Sequence, residues 1–288
     1  MVRIQQEVKR ALMLSSAVLA NLLIPQTATL PISSKSTLLR STQTNNPVPP
    51  LSPQSTVGDL VKERPARSRL FEQLKIDYCC GGKLTLAEAC AKQGLEVDAV
   101  IREIRLFEAE DASMVNADAM GLGELADHIA GTHHDYLRKE LPRIASLTRK
   151  VVAVHGNDEP RLRRIHELFF ELQAEMTEHM FKEERILFPM IKQIETAESV
   201  PDFHCGTLAN PIRQMEHEHE SAGDALKQLR ELSDDYTPPE WACNTFRALY
   251  EALAGLEMDM HQHVHKENNV LFPKALRRET ELNRSIGA

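Results

Sequence analysis

The chain has 288 residues, 42% of them apolar and 26% charged, with a formal net charge of −8 at pH 7. That size accommodates one large or two modest domains with a buried core. The acidic balance argues against non-specific nucleic-acid binding, which works by neutralising phosphates with Lys and Arg, and points instead to a protein or small-molecule partner. Five cysteines, an odd number with Cys79 and Cys80 adjacent, make no disulfide framework and fit a reducing, cytoplasmic setting. Long stretches run at helical period, aromatics are only 5%, and Pro and Gly gather largely at boundaries, so the fold class is all-α.

Residues 1–55 read as a disordered extension. From Val8 to Gly58 there is no Asp or Glu, and Ser, Thr and Pro are dense. A modest apolar run from Ala11 to Ile24 follows Lys9 and Arg10, which makes a cleaved targeting peptide the alternative. Against it, Ser15, Ser16 and Asn21 dilute the run and no clean small-residue cleavage pattern follows. The run is also too short to span a bilayer, and no stable membrane insertion is expected.

Residues 56–112 form a small helical unit. Val57, Leu60, Leu70, Leu74, Leu86, Ala89, Val97, Val100, Ile101 and Ile104 give three or four short amphipathic helices, and residues 111–120 read as a linker. The unit's mark is Asp77-Tyr78-Cys79-Cys80-Gly81-Gly82. Two glycines after paired thiols permit backbone geometry closed to other residues and expose the sulfurs at a turn, unless they merely cap one helix and start the next. Cys79 and Cys80 are candidate thiols for handling sulfur, iron or nitric oxide. Cys90, Cys205 and Cys243 read as small packing residues whose thiols could also react.

Residues 122–278 carry four longer helical patterns. In the first, Ala126, Ala130, His134, Leu137, Leu141 and Ile144 make an apolar line, with His133 only about 100° away and not excluded by periodicity. In the second, Ile165, Leu168, Leu172 and Met176 lead into His179 and Glu183, then Leu187, Met190 and Ile194. The third runs Ile212, Met215, His219, Ala222, Leu226, Leu229, which puts His219 inside and His217 outside. In the fourth, Leu249, Leu253, Leu256 and Met260 lead into His263 and Glu267. By the same phase His128, His133, His217, His261 and His265 fall mostly on the surface, although any of them could support a ligand from behind, and Lys182 and Lys266 point off the seam into solvent.

The second and fourth patterns are one helix used twice. Residues 179–189, HMFKEERILFP, and residues 263–273, HVHKENNVLFP, agree at six positions. His and Glu four apart stack on one helical face. His134 precedes His179 by 45 residues and His219 precedes His263 by 44, so the chain is a tandem of two helical hairpins. Together they bring four imidazoles and two carboxylates to an apolar seam, where ionisable groups need a partner that offsets their desolvation. Nitrogen and oxygen donors without thiolate suit iron, manganese or zinc, and six are too many for one tetrahedral zinc. Two metals bridged by two carboxylates would use all six; a structural seam satisfied by hydrogen bonds alone is the plain alternative. Pro189 and Pro273, late in their helices, are expected to bend the helix or loosen its end, and Phe188 and Phe272 to shield the site from water.

Residues 122–277 resemble the hemerythrin-like domain, and residues 55–277 resemble the bacterial repair-of-iron-centres family, the di-iron iron–sulfur cluster repair proteins. DYCCGGK (77–83), HMFKEERILFPMIK (179–192), MEHEHESAG (215–223) and HKENNVLFP (265–273) carry the likeness. The resemblance implies a hemerythrin-like four-helix bundle behind a short helical domain. It implies a non-haem centre of two iron ions, with His134, His179, His219 and His263 as terminal ligands and Glu183 and Glu267 as bridges. It also favours His134 over His133, since the family ligand precedes an Asp, here Asp135. The implied function is repair of iron–sulfur clusters damaged by oxidative or nitrosative stress, by iron donation or nitric oxide removal. The implied partners are damaged iron–sulfur proteins, with nitric oxide or dioxygen as small ligands; a hemerythrin-like carrier or sensor is the alternative. A homodimer through the small unit is compatible with the sequence.

Overall fold

The structure, a computed structural model, describes residues 51–108 and 116–286. The expected extension over 1–55 lies almost wholly outside the described residues, and the linker over 111–120 partly so. The all-α class and the four-helix bundle are as expected. Among the described residues there is no strand, only an isolated bridge between Thr56 and Thr85, and no helix is long and apolar enough to cross a membrane.

Four short helices make the N-terminal unit: α1 (Val57–Glu63), α2 (Arg67–Gln73), α3 (Leu86–Gln93) and α4 (Val97–Glu108). Their starts are written locally. Thr56 accepts a hydrogen bond from the Asp59 N–H, and Thr85 forms a reciprocal capping box with Glu88. Gly94 then ends α3 at φ 67°, a conformation that side chains resist. Phe71, Tyr78, Leu86 and Ile104 fill a core of the unit's own.

The bundle's first rod is α5 (Leu122–Ile129), a π-helical turn (Ala130–His134) and α6 (Asp135–His155). The second is α7 (Arg161–Lys182), a π turn (Glu183–Leu187) and α8 (Phe188–Thr196). The third is α9 (Ala209–Leu232), unbroken. The fourth is α10 (Asn244–Lys266), a π turn (Glu267–Leu271) and α11 (Phe272–Ile286). Each rod packs on the next and α10 closes on α6.

The π turns explain the prolines. The Phe188 N–H reaches back to the Glu183 carbonyl and the Phe272 N–H to that of Glu267, each across one extra residue. Pro189 and Pro273, which have no N–H to give, follow directly. The helices neither stop nor loosen there; they continue as α8 and α11. Nor are prolines confined to boundaries, since Pro142 also lies inside α6.

The duplication extends to the helix ends. Glu195 in α8 accepts from the Leu122 and Gly123 N–H groups at 2.6 and 2.9 Å, capping α5 from another rod. Glu279 in α11 accepts from the Leu208 N–H at 2.9 Å and the Thr207 hydroxyl at 2.8 Å, doing the same for α9. Each lies twelve residues beyond Glu183 or Glu267.

Two apolar blocks fill the bundle. One contains Leu137, Phe169, Leu226 and Phe246; the other contains Ile129, Ile191, Ile212 and Leu271. Between them lies a polar layer.

Candidate metal centre

The polar layer consists of His134, His179, Glu183, His219, His263 and Glu267, each at most 1% exposed. Their donor atoms form two overlapping groups, His134–His263 and His179–His219, each with both glutamates. Glu267 spans the two: its Oε1 is 3.0 Å from His263 Nε2 and its Oε2 3.0 Å from His219 Nε2. Glu183 Oε2 lies 3.3 Å from both His134 Nε2 and His179 Nε2. Three of the six sit at π turns, His134 ending one and Glu183 and Glu267 each starting one, a distortion common at functional sites.

The donor set fits metal. His134 and His263 present Nε2 atoms 3.2 Å apart, and His179 and His219 do so at 3.1 Å. Two nitrogens in adjacent positions on one ion, each about 2.1 Å away from it, would be about 3 Å apart. The outer nitrogens of three rings are engaged: His134 Nδ1 with Glu184 Oε1 at 2.7 Å, His179 Nδ1 with Glu218 Oε2 at 3.0 Å, and His219 Nδ1 with Asn268 Oδ1 at 2.9 Å. Those acceptors place the protons of these three rings on Nδ1, so the Nε2 lone pairs of His179 and His219 face each other and those of His134 and His179 face Glu183. Such an array is repulsive unless a cation stands within it. Both Glu183 oxygens and Glu267 Oε2 are buried without a hydrogen-bond partner.

The imidazoles around Glu183 and Glu267 keep both carboxyls ionised, the form that binds metal. Burial pushes the Glu267 carboxyl up, but the His263 and His219 imidazoles more than reverse this and hold it well below the usual carboxylate range. Glu183 is likewise lowered, burial and Glu267 opposing and the His179 and His134 imidazoles prevailing. The hydrogen bond from His179 holds Glu218 down to about 2. Phe188 stacks on His134 with ring centroids 5.6 Å apart, and Phe272 on His219 at 6.1 Å, both buried, which places them as a water-excluding face of the layer.

Phase counted along an unbroken α-helix misplaced several neighbours. His133 is buried, because the π turn over Ala130–His134 turns both histidines inward. Its Nε2 accepts from Lys266 Nζ at 2.7 Å, so Lys266 is a half-buried donor and not a solvated charge. Lys182 bonds Glu218 at 2.6 Å. His265 is buried under Tyr78, whose ring meets it edge-on at 5.4 Å, and burial pulls its pKa down to about 4. His128 and His261 are half-buried, while His217 is exposed.

The Cys79–Cys80 turn docks on this helix face. Asn269 donates to the Cys79 carbonyl at 3.3 Å. Gly82 is required here for close approach, not for a left-handed backbone: a Cβ would sit 2.9 Å from the Tyr78 carbonyl oxygen and 2.5 Å from Asn269 Oδ1. The sulfurs are less open than expected. Cys79 is buried and donates its S–H to Asp77 at 3.2 Å; the Cys80 contact first, then burial, push its pKa well up. Cys80 is half-buried, 3.9 Å from Cys79 and 3.7 Å from the His219 carbonyl oxygen. Both line a cavity of about 570 Å³ with Asp77, Glu220, Arg230 and His261. Cys90 is buried, Cys205 half-buried, and Cys243 is exposed instead of packed.

Residues 125–275 match the Hemerythrin HHE cation binding domain, and residues 53–108 match ScdA_N, a Domain of Unknown function (DUF542). The chain is 37% identical over 224 residues to the Iron-sulfur cluster repair protein YtfE of Yersinia pseudotuberculosis serotype IB (strain PB1/+), covering 78% of this chain and 97% of that protein. It is 39% identical over 227 residues to YtfE of serotype O:1b (strain IP 31758) and 37% over 224 residues to YtfE of Yersinia pestis (strain Pestoides F), with the same coverage. The chain belongs to the YtfE family. In this YtfE-family chain the hemerythrin match spans all six buried donors and implies iron binding, and the ScdA_N match contains Cys79 and Cys80. Glu184, Glu218 and Asn268, which back the imidazoles, escaped the sequence reading. The signal was available: each stands directly beside a predicted donor, and Glu184 and Asn268 occupy matching places in the two hairpins.

Proposed function

We propose that this protein carries a di-iron centre and repairs iron–sulfur clusters damaged by oxidative or nitrosative stress, by supplying iron or withdrawing nitric oxide. His134, His179, His219 and His263 would hold the two ions as terminal ligands, with Glu183 and Glu267 shared between them. The observation that carries this reading is the pair of overlapping donor groups, two histidines each, sharing both carboxylates in a buried layer. That its relatives are named iron–sulfur cluster repair proteins supports it.

Iron held there would supply an exchangeable ferrous ion and an affinity for nitric oxide or dioxygen. The chain's own residues do the rest. Glu184, Glu218 and Asn268 fix imidazole orientation, the two apolar blocks keep water out, and Glu183 and Glu267 hold both positions jointly. Cys79 and Cys80 act as the thiol pair of a functional unit over residues 56–112, working with the bundle over residues 122–278. Cys80 contacts the main chain of His219, a link that an oxygen carrier has no use for, and this favours repair over a carrier or sensor. The proposed targets are damaged iron–sulfur proteins in the cytoplasm, and the proposed assembly is a homodimer, which sedimentation would test.

The deciding experiment is iron per chain in anaerobically purified protein, followed by reactivation of an enzyme whose iron–sulfur cluster has been damaged by peroxide or nitric oxide. Two irons with reactivation are expected. No iron, or one zinc, sinks the di-iron reading; two irons with reversible oxygen binding and no reactivation favour the carrier.

A further inference from the structure

The support behind the four imidazoles follows the two-fold repeat in three cases and fails in the fourth. In each hairpin the residue after the glutamate backs the histidine on that hairpin's own first helix: Glu184 for His134 at 2.7 Å, Asn268 for His219 at 2.9 Å. Across hairpins, Glu218, the residue before His219, backs His179 at 3.0 Å. The position equivalent to Glu218 is His133, the residue before His134. It does not back His263. Its Nδ1 pairs with Asp259 at 2.8 Å and its Nε2 with Lys266 at 2.7 Å, and its ring lies flat on His263, centroids 5.2 Å apart and planes 3° from parallel. His263 Nδ1 is buried and has no hydrogen-bond partner.

We propose that the two ions are held unequally: the one between His134 and His263 is released, the one between His179 and His219 is retained, and the exchange of Glu for His at position 133 sets the difference. This rests on the two-ion reading above. A ligating imidazole that donates its second N–H to an oxygen is fixed in orientation and is a stronger base, and removing such a partner lowers metal affinity about 10–100-fold. His263 is held by packing alone. The retained ion would keep the bundle assembled while the other is handed on, so one chain can give up iron without losing the layer that joins its two apolar blocks. Glu218 and His133 are thus positioning residues, acting through His179 and His263.

The test uses full-length protein loaded anaerobically with two ferrous ions per chain and challenged with excess of a ferrous chelator that absorbs visibly when loaded. Release in two phases of equal amplitude is expected, with rates separated about 10–100-fold. His133→Glu slows the fast phase, and Glu218→His speeds the slow one. Anomalous diffraction from wild-type crystals after the first phase locates the remaining ion between His179 and His219, independently of how either variant folds. A single phase, or a remaining ion at His134 and His263, overturns the proposal, as do two phases that neither substitution moves. Failure to load two ions overturns the two-ion reading, and the inference with it.

Discussion

The Cys80 thiol donates to the main-chain oxygen of His219 at 3.7 Å, so one of the paired thiols touches the backbone of a helix that supplies the metal layer. The Cβ that a side chain at Gly223 would need lies 3.5 Å from the same sulfur. The contact involves no donor side chain. Cys80→Ala is therefore expected to retain the full metal content and slow cluster reactivation; elemental analysis beside the reactivation assay checks it. Loss of metal in that variant would assign Cys80 a structural role.

Removing a shared carboxylate affects both donor groups. Glu183→Ala and Glu267→Ala are each expected to lower the bound metal below two per chain, because each glutamate belongs to both groups. Elemental analysis of protein from iron-replete cells measures it. Two full equivalents in either variant would rule out a bridging role.

The remote caps are expected to act independently. Glu195→Ala leaves the Leu122 and Gly123 N–H groups without their acceptor, Glu279→Ala leaves the Leu208 N–H and the Thr207 hydroxyl without theirs, and each should cost about 1–2 kcal/mol. The caps serve different rods and share no partner, so the double variant should show the sum within about 0.5 kcal/mol. Chemical denaturation of metal-loaded protein gives the values, and a neutral Glu279→Ala would contradict the cap.

Docking of the small unit depends on absent side chains. Gly82→Ala puts a methyl group 2.9 Å from the Tyr78 carbonyl oxygen, and overpacking of that kind costs about 1–3 kcal/mol. Cys79, buried in the native protein, should then be alkylated faster. Unchanged stability together with an unchanged Cys79 rate would show that the turn yields.

Cys243 should behave oppositely. Backbone N–H groups at the start of α10, Phe246 first, and the His155 ring 3.2 Å away pull its pKa down, and the side chain is exposed. Its thiolate fraction persists to lower pH than that of an ordinary thiol, so its alkylation should fall off at lower pH than after unfolding. Cys79, with its pKa raised, should react slowly until high pH. Peptide mass spectrometry of iodoacetamide-treated protein across pH 6–9 distinguishes them, and equal rates would refute the shifts.

The repeated sequence announced the bundle because six identities at a fixed offset, on helices of unbroken apolar period, leave few other ways to bury the seam. His134, His179, Glu183, His219, His263 and Glu267 do converge. What the residue count could not carry was the π turn. One extra residue at Ala130–His134 turns His133 inward, and another at Glu183–Leu187 lets Glu184, next to a buried donor, reach His134. Phase arithmetic assumes a constant pitch, and here the pitch changes at the positions that matter. His265 escaped for another reason: its burial comes from Tyr78, almost 190 residues earlier, and no local pattern records such a partner.

The polar layer between the two apolar blocks also has a thermodynamic meaning. Six ionisable side chains occupy a slab that leucine and phenylalanine could fill, and buried charge is often less stabilising than well-packed hydrocarbon of equal volume. An all-apolar version of this bundle would be expected to melt later and do nothing. The native chain accepts a weaker waist as the condition of having a centre at all, and draws its rigidity from the packed blocks on either side.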